Sequence, residues 1–133
     1  MGRVQVAGVI IERDGRIIMQ TRSYEPGKGK INFIGGYLED GETPEQAAVR
    51  EAKEETGFDV KLISGLGEFE YFDRGDKTIR IFLAEIVGGE MTNSAEGRPV
   101  WVDPKTLNPT AMAFPQMFSI ISAYLEQRNG REQ

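Results

Sequence analysis

Between Glu39 and Glu55 the chain places seven acidic residues against two basic ones, Arg50 and Lys53. This short stretch therefore has the same net charge, −5, as all 133 residues together. It also carries strong helix signals: Thr43 as N-cap, Pro44 at the first helical position, Gln46 three residues after the cap, and Gly57 as a left-handed stop. The pattern predicts a helix over 44–56. A helix that collects all the excess negative charge repels itself unless something positive sits beside it, and a divalent cation is the natural candidate.

The rest of the composition narrows the chemistry. At 133 residues the chain suits one domain, 1–133, able to bury about two-thirds of its unfolded surface around a single core. There is no cysteine, which excludes disulfides, thiolate ligands and cysteine nucleophiles, and fits a cytoplasmic setting. There is no histidine either, so Ser-His and Cys-His catalysis and histidine-bound zinc are excluded. Catalysis must then rest on carboxylates, Lys, Tyr or a metal held through oxygen. No apolar run reaches the roughly 20 residues of a membrane span, and no secretory signal opens the chain. The acidic balance argues against a long nucleic-acid partner.

Along the chain, Val4 to Glu12 and Arg16 to Thr21 read as a hairpin around Asp14-Gly15. Tyr24 to Lys30 is a loop, and Ile31 to Ile34 a short strand ending at Gly35-Gly36. Lys61 to Phe72 and Thr78 to Val87 are strand-like and joined through Asp73, Gly75 and Asp76. Gly88 to Pro99 reads as a polar loop before a short strand at 100–102. A second helix is predicted from near Pro115, where Phe114, Met117, Phe118, Ile121, Tyr124 and Leu125 recur at helical spacing. Asn129 to Gln133 are expected to fray.

On the first helix Glu51, Glu54 and Glu55 stand at i, i+3 and i+4, so their carboxylates share one arc of roughly 100°. An all-oxygen cluster suits Mg²⁺ or Mn²⁺ better than zinc. Arg50 has Glu54 at i+4 and can pair with one of these acids. A solvated acidic face would show the same bare Glu-x-x-Glu-Glu.

The surroundings decide between the two. From Gly36 come five residues, Glu42, seven residues, then Arg50-Glu51-Ala52-Lys53-Glu54-Glu55-Thr56-Gly57-Phe58. This resembles the signature of the Nudix hydrolase family, matched at every fixed position over 36–58. Ala52 and Phe58 stand where bulky aliphatics are usual, and Ile34 where many relatives carry Pro. The resemblance implies an α/β fold, an α/β/α sandwich with a mixed sheet, and metal-dependent hydrolysis of a nucleoside diphosphate linked to another group. It makes Glu51, Glu54 and Glu55 the metal carboxylates, with the Gly35 carbonyl as a backbone ligand. Glu42 and Arg50 become the residues that orient them. Many members pair as dimers, so a homodimer is a partner the resemblance allows.

For the proton of the attacking water the candidates are Glu54, Glu55 and Glu96. Glu96 opens a Glu-x-Arg-Pro-x-Trp run similar to one found in nucleoside-triphosphate-cleaving members of the family. Arg22, Lys28 and Lys30 are candidate phosphate contacts. Tyr37 and Phe114 are candidate walls for a base, while Phe33, Tyr71, Phe72 and Trp101 read mainly as core. The expected substrate is a small nucleotide, foremost a nucleoside or deoxynucleoside triphosphate giving a monophosphate and pyrophosphate. ADP-ribose or a dinucleotide, and a nucleotide-sensing module without cleavage, are the alternatives.

Overall fold

The computed structural model describes residues 4–71 and 77–132. Phe72, Asp73, Gly75 and Asp76, expected at the end of a strand and its connection, lie outside the described residues. The elements run β1 (Val4–Arg13), β2 (Arg16–Arg22), β3 (Ile31–Asn32), β4 (Ile34–Tyr37) and α1 (Pro44–Thr56). After these come β5 (Phe58–Tyr71), β6 (Lys77–Gly89), β7 (Gly97–Val102) and α2 (Phe118–Glu132).

Strand β1 organises the molecule. Its side chains alternate, with Val6 and Ile10 buried on one face and Ala7, Val9 and Ile11 on the other. Both faces are apolar, so both must be covered. Helix α1 covers the Ala7 face through Ala47, Ala48 and Ala52, and α2 covers the Val6 face through Ile120, Ile121 and Tyr124. The seven strands form one mixed sheet: β1 pairs parallel with β6 and antiparallel with β2 and β4. Outside these, β5 pairs with β6, and β3 and β7 pair with β2. This is the expected α/β/α sandwich.

The first helix follows its sequence signals. Thr43 accepts from the Gln46 N–H at 3.1 Å while the Gln46 side chain accepts from the Thr43 N–H at 2.9 Å, a complete capping box. Gly57 closes the helix at φ 85°, and its N–H donates to the Lys53 carbonyl.

Four expectations need correction. The single strand over 31–34 is two: Asn32 pairs with Gln20 of β2, whereas Ile34 pairs with Val9 of β1, so the chain changes partner at Phe33. Gly35 and Gly36 lie inside β4 rather than after it. Strand β7 begins at Gly97, earlier than expected, because Pro99 pairs with Gln20 on an outer strand, where a missing N–H is tolerated. The second helix opens with a 3-10 turn at Pro115–Met117 and continues to Glu132, so residues 129–132 of the end expected to fray are helical, while Gln133 lies outside the described residues. It is tied to β1: Tyr124 donates to Glu12, Arg131 pairs with Glu12 at 3.2 Å, and Arg128 donates to the Gly15 carbonyl at 3.0 Å. Trp101 is half-buried against the α1-side core, with the Arg13 guanidinium 5.6 Å from its ring.

A Cβ at Gly57 would overlap the Glu90 carbonyl oxygen as well as sit in the left-handed region. Gly57→Ala is therefore expected to cost more than about 2 kcal/mol by urea denaturation. A loss below about 0.5 kcal/mol, an ordinary surface effect, would show that the turn after α1 is not constrained.

Candidate active site

The buried stripe of α1 runs Ala47, Ala48, Glu51, Ala52, Glu55 and Thr56. Two of the acids thus occupy the sheet-facing side of the helix, in line with the alanines, and Glu54 sits outside it. The alanines are small, so α1 lies close on the sheet. Ala52 fills the expected bulky position with full burial. Glu51 and Glu55 are 8% and 4% exposed, whereas the Glu54 side chain is 55% exposed. Gly36 makes room for this: a Cβ there would overlap the Glu51 carboxylate.

Arg50 uses all five of its N–H donors. Two form a fork on Glu42, at 2.7 and 3.0 Å, and one donates to the Tyr37 carbonyl at 3.1 Å. The Nη1 atom donates to Glu51 at 2.7 Å and to Glu54 at 3.0 Å. Glu42 also accepts from the Glu39 N–H at 2.9 Å. Hydrogen bonds from Arg50, then that N–H, hold its carboxyl down at about 2. Arg50 and Glu42, expected as orienting residues, thus clamp β4, α1 and the 38–42 turn together.

Glu51 behaves oppositely. Burial outweighs its contact with Arg50, and nearby Glu54 adds to it, so its carboxyl rises to about 7. Glu55 rises further, first through burial, then through the adjacent Glu96 and through Glu51, although the Gly35 N–H donates to it at 2.8 Å. Two acids are therefore held where ionisation is costly.

Glu55 and Glu96 line one cleft of about 180 Å³ with Gln20, Arg22, Tyr24, Asn32, Gly35, Gly36 and Tyr37. Glu96 reaches it because β7 pairs with β2 and the Glu96 carbonyl accepts from the Ser23 N–H. A wider concavity of about 620 Å³ lies by the β1–β2 turn, away from these acids.

Of the candidate phosphate contacts, Arg22 lines the cleft, its Nε donating to the Pro26 carbonyl at 2.6 Å. Lys28 and Lys30 do not: the loop folds back through Gly29 N–H to the Arg22 carbonyl and Arg22 N–H to the Lys30 carbonyl, leaving both side chains exposed. Tyr37 lines the cleft and is 54% exposed. Phe114 is half-buried against the α2-side core, with the Arg22 guanidinium 5.6 Å from its ring, and is not in the cleft wall. Phe33, expected as core, is both core and wall. The sequence reading missed Gln20, Tyr24 and Asn32. Gln20 carried a signal, being a polar residue two positions from buried Ile18 and hence on an inward-facing site.

As a cation site, the donor set is all oxygen, as hard ions require. Glu51 and Glu55 are buried, crowded carboxylates that a cation would relieve. Among the described residues, no three acidic side chains are gathered closely enough to enclose an ion, since Arg50 draws Glu51 and Glu54 to itself.

A sequence profile of the NUDIX domain matches residues 1–124. The chain is a member of the Nudix hydrolase family. It is 35% identical over 125 residues to an ADP-ribose pyrophosphatase of Methanocaldococcus jannaschii, covering 91% of this chain and 72% of that protein. It is 37% identical over 112 residues to an 8-oxo-dGTP diphosphatase of Escherichia coli, covering 81% and 86%. A Nudix hydrolase structure from Nitrosomonas europaea superposes with a TM-score of 0.83 at 20% identity, covering 98% of this chain and 75% of that one, and shows the same fold. The enzyme class is thus that of the Nudix pyrophosphohydrolases, whose members generally use divalent metals. Among the described residues no helix is long and apolar enough to cross a membrane.

The raised carboxyls make a pH prediction. Glu51 and Glu55 lie above their ordinary value of 4.5 in the fold, so the folded state binds more protons than the unfolded chain. The stability they contribute is complete below about pH 4.5 and is lost as pH rises through about 7 for Glu51 and higher for Glu55. In chelator, Tm should fall by about 5 °C or more between about pH 5 and 8, and Mg²⁺ should restore more of it at the higher pH. Equal stabilisation by Mg²⁺ at both values would place the cation elsewhere.

Proposed function

We propose that this Nudix enzyme hydrolyses a pyrophosphate bond of a nucleoside or deoxynucleoside triphosphate, giving a monophosphate and pyrophosphate. The observation that carries this is the pairing of Glu55 with Glu96 in one small cleft, which supplies a proton acceptor beside Arg22. Mg²⁺ or Mn²⁺ is the proposed cofactor, held by Glu51, Glu55 and the Gly35 carbonyl, with Glu54 joining once its carboxylate leaves Arg50. The chemistry a divalent cation supplies when bound there is charge neutralisation and Lewis-acid polarisation of the phosphate oxygens.

The residues do the rest. Arg22, in the same cleft, meets the phosphate charge. Glu96, the more exposed of the pair with Glu55, takes the proton of the attacking water. Glu54, outside the cleft and bound to Arg50, is the weaker candidate for that role. Tyr24 and Tyr37 offer exposed rings at the cleft for a base. A second reading, cleavage of ADP-ribose, is favoured by the 35% identity to the pyrophosphatase named for it. Retention of Glu42, Arg50, Glu51, Glu54 and Glu55 disfavours a module that binds without cleaving.

Glu55→Gln should lower turnover by about two orders of magnitude or more with saturating Mg²⁺. Its Tm should hold or rise, because the amide resembles the neutral acid that the fold favours. Near-normal turnover would remove Glu55 from the reaction. Assay of nucleoside triphosphates against ADP-ribose, with the products separated, tests the substrate class. Pyrophosphate release from a triphosphate supports the first reading, and AMP with ribose 5-phosphate from ADP-ribose supports the second.

A further inference from the structure

Gln20 stands on β2 two residues after Ile18 and two before Arg22, on the face turned toward α1, opposite Pro99 and Asn32 in the ladder. It is 3% exposed, it lines the cleft with Glu55 and Glu96, and its Nε2 atom has no hydrogen-bond partner among the described residues. A buried amide donor left unpaired destabilises a fold, since the water it gave up is not replaced. Leucine at this position would pack against its neighbours without that penalty. An unpaired donor in the wall of a reaction cleft is thus suited to an acceptor that arrives with the ligand.

The neighbours say which acceptor. Arg22, one inward-facing position along β2, is the cation of the same wall, and Glu96 precedes the residue that pairs with Arg22. A group bridging Arg22 and the Glu55–Glu96 pair passes Gln20, and it must be anionic to meet the one and reactive to meet the other. A neutral amide can donate there without forming the ion pair with Glu55 or Glu96 that a lysine would form.

We propose that Gln20 is a substrate-contacting residue whose side-chain amide donates to a phosphate oxygen of the bound di- or triphosphate. The contact rests on the proposed function for the location of the phosphates. It adds a recognition element outside the 36–58 signature, one that reads the phosphate chain rather than the base.

Calorimetric titration with Mg²⁺ present tests this with three probes: inorganic pyrophosphate, a nucleoside triphosphate analogue with an α,β-methylene bridge, and the unphosphorylated nucleoside. Gln20→Leu should weaken the two phosphorylated probes about tenfold or more, leave the nucleoside unchanged, and keep or raise Tm. Gln20→Glu, equal in size but anionic, should weaken them further. Unchanged pyrophosphate binding in Gln20→Leu, weakening confined to the nucleoside, or a Tm that falls in step with binding would each overturn the contact. If wild type binds the phosphorylated probes and Gln20→Leu weakens them, yet no nucleotide is cleaved, the contact stands and the proposed reaction fails. If wild type binds none of the probes, both fail.

Discussion

Two carboxylates buried on the sheet-facing side of one helix are the constraint on which the rest of the site depends. Burial of Glu51 and Glu55 works against their ionisation strongly enough to override an arginine within 2.7 Å of Glu51. Such an arrangement survives only where the surroundings are fixed. Here the capping box, the Gly57 stop and the alanine stripe lock α1 on the sheet, and Arg50 ties Glu42, Glu51, Glu54 and the Tyr37 carbonyl into one network. Breaking a half-buried network of this kind leaves several charges without partners, so its members support one another more than any single pair does.

The sheet then brings distant residues to these acids. Strand β4 pairs with β1 beneath α1 and presents the Gly35 N–H to Glu55. Strands β2 and β7 run side by side, so Gln20, Arg22 and Glu96 reach one wall although more than 70 residues separate the two segments. Among the described residues, helix α2 brings no acidic side chain to the cleft. Apart from Met117, just ahead of it in the cleft wall, its contribution is to cover the opposite face of β1 and β2.

What was legible in the sequence was local. The capping box and the glycine stop of α1 act over three or four residues, and both appear where their signals lie. The fixed spacing of Gly36, Glu42, Arg50, Glu51, Glu54 and Glu55 pointed to the candidate site. Features set by partners far along the chain were not legible. Whether Asn32 and Ile34 share a strand depends on Gln20 and Val9, and whether Gly97 and Pro99 form strand or loop depends on β2. Lys28 and Lys30 are candidate phosphate contacts by charge, and both stand exposed outside the cleft lining, a placement set by the path of their loop. Arg131 holds the end of α2 through Glu12, a partner 119 residues away, which no local propensity reveals. That Glu51 and Glu55 face inward while Glu54 faces out is a matter of which side of α1 meets the sheet; the alanines at 47, 48 and 52 carried that information.

The absence of histidine gives the buried acids a further significance. Enzymes commonly use histidine where a group must change charge near neutral pH, because its unperturbed value already lies there. This chain has none, and ordinary carboxyls titrate far too low for the task. Burial supplies the missing range: Glu51 is lifted to about 7 and Glu55 beyond it, while Glu42, a few residues away on the same arginine, is held near 2. Three glutamates within one short segment, 42–55, are thus separated into one held charged by Arg50 and two whose charge depends on their surroundings. A charge brought close to these two groups shifts their protonation, a positive one toward the carboxylate and a negative one toward the acid. A capacity to change charge near neutral pH at this helix face thus follows from burial against the sheet, without any residue whose intrinsic chemistry is tuned to that range.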